Sequence, residues 1–200
     1  MTPLTVVERL ALLGTLVALF EGLHPSLDQW AQSSKDSSCK GLYGDHPVYR
    51  DGTPVGQETD DRTGMPTLTA SQLGRRSVAR HVASYSAGQL AGTVAATRVL
   101  GYRIPGRALL AGAAINAVTH AVIDRRKPLL WLAGKAGKRG YVDHCTAVRM
   151  DTEGALTAEL SGPGSALMEL DQSLHRSIGV LAAVVTTYLA TRTSGSGTAN

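Results

Sequence analysis

Three of the six histidines in this chain stand four residues from an aspartate: His24 with Asp28, His120 with Asp124, and His175 with Asp171. On a helix, a spacing of four puts both side chains on one face, about one turn apart. Neutral imidazole and carboxylate are the nitrogen and oxygen ligands that suit zinc, manganese or iron. Pairs carried by different helices can converge on a shared site for one or two such ions.

Further polar residues continue the same stripes. Asn116 precedes His120 by four, on a stretch otherwise built from Ala, Leu, Ile and Val. His81, Tyr85 and Gln89 repeat the spacing, and Gln29 and Gln172 follow the aspartates of their pairs. Buried polar groups need partners, and a buried aspartate needs a cation. Each feature also has a plainer account. His120 can hydrogen-bond Asp124 while Asp124 pairs with Arg125 or Lys127 at a helix end. Asp171 sits near the first turn of the last helix, where the dipole favours a carboxylate. Pro25 disturbs the first pair, and a lone histidine such as His81 is commonly a satisfied core residue.

The recurrence favours the metal reading. It assigns His24, Asp28, His120, Asp124, Asp171 and His175 as ligands of a divalent ion, with His81 as ligand or proton carrier. Lys35 and Lys127 are the candidates to steady a phosphate-like anion. A rival site lies in the irregular segments, where Cys39, His46, His144 and Cys145 make up a Cys2His2 set. The wide gap between Cys39 and His46 and the adjacency of His144 and Cys145 fit poorly with zinc-knuckle spacing.

Helical periodicity marks out the elements that must position these residues. Apolar positions Val6, Leu10, Leu13, Val17 and Phe20 predict a first helix from about Thr5 to Leu23, with Pro25 kinking it or opening a continuation to Trp30. Further helices are expected over 72–100, 105–124, 128–135 and 165–191, the third of the main helices being nearly all apolar and so the most buried. The segment 33–73 is rich in Gly, Asp, Ser, Thr and Pro and reads as a long loop, with one hairpin around Val48–Val55 turned by Asp51-Gly52. Short strands are expected within 142–160. The resulting fold class is all-α, a four-helix bundle with two long irregular connections. Residues 1–191 form a single domain with an insertion at 33–73, and residues 192–200 form a disordered tail.

Composition narrows the function classes. Apolar residues make up 43% of the chain but aromatics only 4%, which suits close helix packing better than a sheet. The net charge of +4 comes from scattered clusters, so nucleic acid is allowed as a partner but not demanded. Two cysteines form no framework, which makes a reducing compartment the default. The N-terminal apolar run is interrupted by Glu8, Arg9 and Glu21 and reads as a helix of the mature protein, not a signal peptide. Leu10–Phe20, Ala108–Ile123 and Ile178–Ala190 are uncharged for 11, 16 and 13 residues, short of the roughly 18 to 20 of a spanning helix. The expected location is cytoplasmic or membrane-associated. No phosphate-cradling glycine loop, Gly-x-Ser-x-Gly elbow or helix-turn-helix is present.

The motif order His24-x3-Asp28-Gln29 with Lys35, His81-x3-Tyr85, Asn116-x3-His120-x3-Asp124-x2-Lys127 and Asp171-Gln172-x2-His175 resembles a bacterial family of small helical proteins of unknown function. Members carry His/Asp motifs on successive helices and are often predicted to be membrane-associated. The chain is also distantly similar to membrane-bound metal-dependent hydrolases. The likeness spans most of the chain outside 33–73 and the tail. It implies a His/Asp site inside a helical bundle more than any particular reaction; the residues themselves suggest a metal-dependent hydrolase-like activity on a small-molecule or phosphate-containing substrate. The alternatives are a non-catalytic regulatory or scaffolding protein, and an integral membrane protein with a polar cavity.

Overall fold

The computed structural model describes residues 4–150 and 153–192, and the expected disordered tail lies outside them apart from Arg192. Helix α1, Val6–Pro25, opens with a reciprocal cap: Thr5 accepts from the Glu8 N–H, and the Glu8 carboxylate accepts from the Thr5 N–H at 2.7 Å. Pro25 does not end the helix. The chain widens into a π-helical turn, Ser26–Trp30, closed by the Ala31 N–H on the Ser26 carbonyl at 3.0 Å. Such turns accommodate a lost backbone bond, and this one places Asp28 in the interior.

Helix α2, Ser34–Cys39, follows, then the two-residue strands β1, Pro47–Val48, and β2, Leu68–Thr69, paired antiparallel. Helix α3, Ala70–Val99, starts from a second reciprocal cap between Thr69 and Gln72. Helices α4, Gly106–Ile123, α5, Lys127–Lys135, and α6, Arg139–His144, lead to an antiparallel hairpin of β3, Ala147–Met150, and β4, Leu156–Glu159. Helix α7, Ala166–Arg192, closes the described chain. The protein is therefore mostly helical, as its composition implies.

The four long helices pack about one interior, α4 most extensively on α7 and α1 on α7. Leu12, Leu16 and Phe20 of α1 meet Ala108 of α4 and Ala182, Ala183 and Ala190 of α7 in the main apolar cluster. Small residues set the α4–α7 distance: a Cβ on Gly112 would overlap the Thr186 hydroxyl. A second cluster joins Ile123, Leu129, Ala133, Val142 and Leu167, and a third joins Cys39, Val48, Ala70 and Leu73.

Three expectations need correction. Segment 33–73 is not wholly structureless, because it contributes α2 and all four buried residues of the third cluster. The turn at Gly52 forms, with a bridge from Val48 to Pro54, but strand β1 takes its main partner from 68–69. Helix α4 is buried along one stripe only. Leu110, Val118 and Val122 face outward, as do Val180, Leu181, Val184 and Tyr188 of α7. By length and composition α4 and α7 could cross a membrane, and only 28% and 39% of these stretches is buried; core helices of water-soluble proteins pass the same test.

Candidate metal centre

The interior between the apolar clusters is polar, and each long helix supplies part of it. The π-helical turn after α1 brings Asp28, α3 brings His81, α4 brings His120 with Asp124 at its C-cap, and α7 brings His175. All five are buried. Nε2 of His81 lies 3.0 Å from Oδ1 of Asp28, 2.9 Å from Nε2 of His120 and 3.5 Å from Oδ2 of Asp124. Nε2 of His120 lies 3.5 Å from the same two carboxylate oxygens. Donors bonded at about 2.0–2.1 Å to a tetrahedral ion stand about 3.3–3.4 Å apart, so these groups are close enough to hold an ion, although the shortest separations are also those of hydrogen bonds. His175 completes a second group with His120 and Asp124, its donor atoms all within 4.8 Å of one another.

The hydrogen-bond inventory supports the same reading. Oδ2 of Asp124 and Nε2 of His175 are buried without a hydrogen-bond partner among the described residues. His175 donates from Nδ1 to the Asp171 carbonyl oxygen at 2.9 Å, which leaves Nε2 with a bare lone pair. That is how a ligating histidine is usually oriented, by a backbone acceptor on its far nitrogen. His81 has the reverse defect: its Nδ1 lacks a hydrogen-bond partner among the described residues.

Electrostatics show how the cluster holds together as a protein alone. Burial would raise the pKa of Asp28, but hydrogen bonds from His120 and His81 and the charge of Lys40 hold it well below the usual carboxylate range. Burial opposes a charged His120 too, yet Asp124 and Asp28 outweigh it and push the pKa up to about 9. Asp124 is lowered to about 2, burial being overcome by His120 and Lys40. A proton on His120 thus supplies the positive charge that two close carboxylates demand. A divalent cation could supply it instead.

Behind Asp28 runs a chain of side chains whose direction is forced. The carboxylate can only accept, so Gln172 donates its amide N–H to Oδ2 at 3.1 Å and turns its carbonyl to His24. His24 then donates from Nε2 at 3.2 Å and accepts at Nδ1 from the Tyr85 hydroxyl at 3.0 Å. Tyr85 accepts from Gln89 at 3.2 Å, and Gln89 accepts from Asn116 at 2.7 Å. Burial lowers His24 to about 4, which keeps the ring neutral as the chain requires.

The sequence-derived residues therefore separate. Asp28, His120, Asp124 and His175 lie in the donor cluster, and so does His81. His24 spends both nitrogens in the chain behind Asp28, although its ring stacks on His175 at 5.2 Å. Asp171 is half-buried, with Oδ2 3.4 Å from the far nitrogen of His175. Lys127 is exposed and lies over the Tyr43 ring at 4.3 Å. Among the described residues, the groups of close metal donors include none of Cys39, His46, His144 and Cys145; the Cys39 thiol donates to the Asp51 carbonyl instead.

A cleft of about 1190 Å³ opens onto the carboxylates of Asp28 and Asp124 and is lined by Lys35, Lys40, Arg126, Arg149 and Asp171 among others. Lys40 holds the outer oxygen of Asp124 at 3.1 Å. No sequence signal singled out Lys40, because its loop reaches Asp124 only through the fold. No family model, no curated protein and no solved structure matches the chain.

Proposed function

We propose that this protein is a metal-dependent hydrolase-like enzyme of four-helix-bundle architecture, with one divalent ion held by Asp28, His81, His120, Asp124 and His175. The observation that carries the reading is the meeting of five buried donor residues from four helices, with Oδ2 of Asp124 and Nε2 of His175 lacking a hydrogen-bond partner among the described residues. The His/Asp composition suits zinc, manganese or iron. When bound, such an ion supplies Lewis acidity, polarising a substrate oxygen and activating water near neutral pH.

The protein's own groups supply the rest. The chain from Asn116 to Gln172 fixes Oδ2 of Asp28, so Oδ1 is the oxygen presented to the centre. Lys40 steadies Asp124 in the same way from the cleft side. Asp171, half-buried on the cleft wall, is the carboxylate left to accept a proton. Lys35 stands at the mouth, where a phosphate-containing substrate would enter.

Elemental analysis of protein purified without a histidine tag tests it, together with turnover of p-nitrophenyl phosphate before and after chelation. One equivalent of metal and chelator-sensitive turnover are expected; metal-free protein that cannot be loaded would end the reading. A membrane-associated form of the same enzyme is favoured by the outward apolar residues of α4 and α7. Fractionation without detergent decides that point.

A further inference from the structure

We infer that Arg126 is an anion receptor in the cleft, held there by a strained turn to grip the non-bridging oxygens of a phosphate ester. The inference rests on the hydrolase reading for the chemistry that follows, not for the binding of the anion. Helix α4 ends at Ile123 and α5 begins at Lys127. Between them the Lys127 N–H donates to the Arg125 carbonyl at 2.6 Å, closing a three-residue γ-turn around Arg126. Arg126 has φ 60° and ψ −47°, and among the described residues it alone takes a positive φ without being glycine. This form of γ-turn is rare and strained, and strain of this kind clusters at binding and catalytic sites.

The two adjacent arginines have different fates. Arg125 is buried, donates from Nη1 to the Lys40 carbonyl at 2.9 Å and lies 3.8 Å from the Tyr43 ring centroid. It ties the turn to the loop after α2. Arg126 is half-buried, and its side chain makes no hydrogen bond or ion pair to any described residue, yet the residue lines the same cleft as Asp28 and Asp124. Its side chain lies on Gly41, where a Cβ would come within 2.7 Å of Cδ. Gly41 thus leaves room for an arginine side chain that has no polar partner among the described residues.

Of the other cations on the cleft, Lys40 and Arg149 are paired with Asp124 and Glu159, whereas Lys35 has no carboxylate partner among the described residues. Arg126 and Lys35 are therefore the charges left for a ligand. A guanidinium fork matches two oxygens of a tetrahedral oxyanion, which a lysine does not. Inorganic phosphate should bind the cleft, and its affinity should depend on Arg126.

Calorimetric titration with inorganic phosphate tests this, on metal-loaded and metal-free protein, with Arg126→Gln and Arg126→Gly as variants. Both should weaken phosphate binding at least about ten-fold and leave metal content unchanged. Arg126→Gly should also melt above Arg126→Gln, because glycine takes the positive φ without strain. Equal phosphate affinity in wild type and Arg126→Gln would overturn the inference. So would an Arg126→Gly protein that melts below Arg126→Gln, since the side chain would then be holding the turn together. Acetate binding as tightly as phosphate would refute the phosphate assignment. Protein that takes up no metal but loses phosphate binding on Arg126→Gln would support the receptor and remove the hydrolase reading.

Discussion

At the scale of residues, a ligand and a structural partner can be told apart by their response to chelation. If Asp124 binds an ion, chelator lowers the melting temperature of wild type, because a ligand bound only to the folded state stabilises it by mass action. Asp124→Ala then melts lower and responds little to chelator. If Asp124 serves only His120 and Lys40, the variant is still destabilised by the buried groups left unpaired, and chelator does nothing to wild type. We expect the first pattern. The chain behind Asp28 makes a separate prediction. Nitrogen NMR should find His24 neutral with its proton on Nε2, and His175 with its proton on Nδ1. Tyr85→Phe removes the hydroxyl that His24 accepts from, and loss of such outer support typically costs about 10–100-fold in metal affinity. A His24 proton on Nδ1, with metal affinity unchanged in Tyr85→Phe, would show that the chain does not direct Asp28.

Among the elements, the segment 33–73 divides into two parts with different work. Its first part is fastened to the core: Arg80 pairs with Asp36, Arg125 holds the Lys40 carbonyl, and Lys40 reaches Asp124. Its middle is mostly exposed and closes on itself through Arg62, Asp51 and Asp60. Shortening the middle should therefore leave helicity by circular dichroism nearly unchanged. The fastening is sensitive at Gly74, where a Cβ would lie 2.5 Å from the Leu42 carbonyl oxygen and also overlap the Arg125 guanidinium. Gly74→Ala should destabilise by about 1–3 kcal/mol, as overpacking does, and weaken metal binding with it. Denaturant unfolding measures the first effect; a stability equal to wild type would mean that the loop is free to move away.

For the whole molecule, two histidines shifted in opposite directions shape the pH response of the metal-free protein. His24 falls from 6.5 to about 4, so the unfolded chain takes up a proton that the folded protein refuses, and stability declines as pH falls through that interval. His120 rises from 6.5 to about 9, so its contribution is complete below 6.5 and is lost as pH climbs through 9. Scanning calorimetry of metal-free protein should find the highest melting temperature near pH 6.5. Asp28 and Asp124 steepen the acid side, since both carboxylates are held below their ordinary range. Metal loading should flatten the alkaline side, because the ion replaces the proton on His120. A melting temperature that keeps rising from neutral to alkaline pH in metal-free protein would contradict the assignment of charge to His120.

The long helices were legible in the chain itself, because apolar periodicity and caps such as Thr5–Glu8 are local and act through neighbours three and four residues away. So was the presence of His/Asp stripes, since a spacing of four means one face on any helix. Which member of each stripe faces the centre was not local information. His24 and Asp28 share a face on an ideal helix, but the π-helical turn after Pro25 carries Asp28 to the cluster while His24 turns to Tyr85 and Gln172. Asp171 and His175 separate for a related reason: the helix holds the aspartate on the far nitrogen of the ring. His81, which the spacing alone left between ligand and proton carrier, gains its place from the packing of α3 against α4. Lys40 and Arg126 lie 86 residues apart in the chain and come to one cleft only because Arg125 ties the loop after α2 to the turn after α4. Local spacing sets what a helix can present, and the meeting of distant segments decides what it does present.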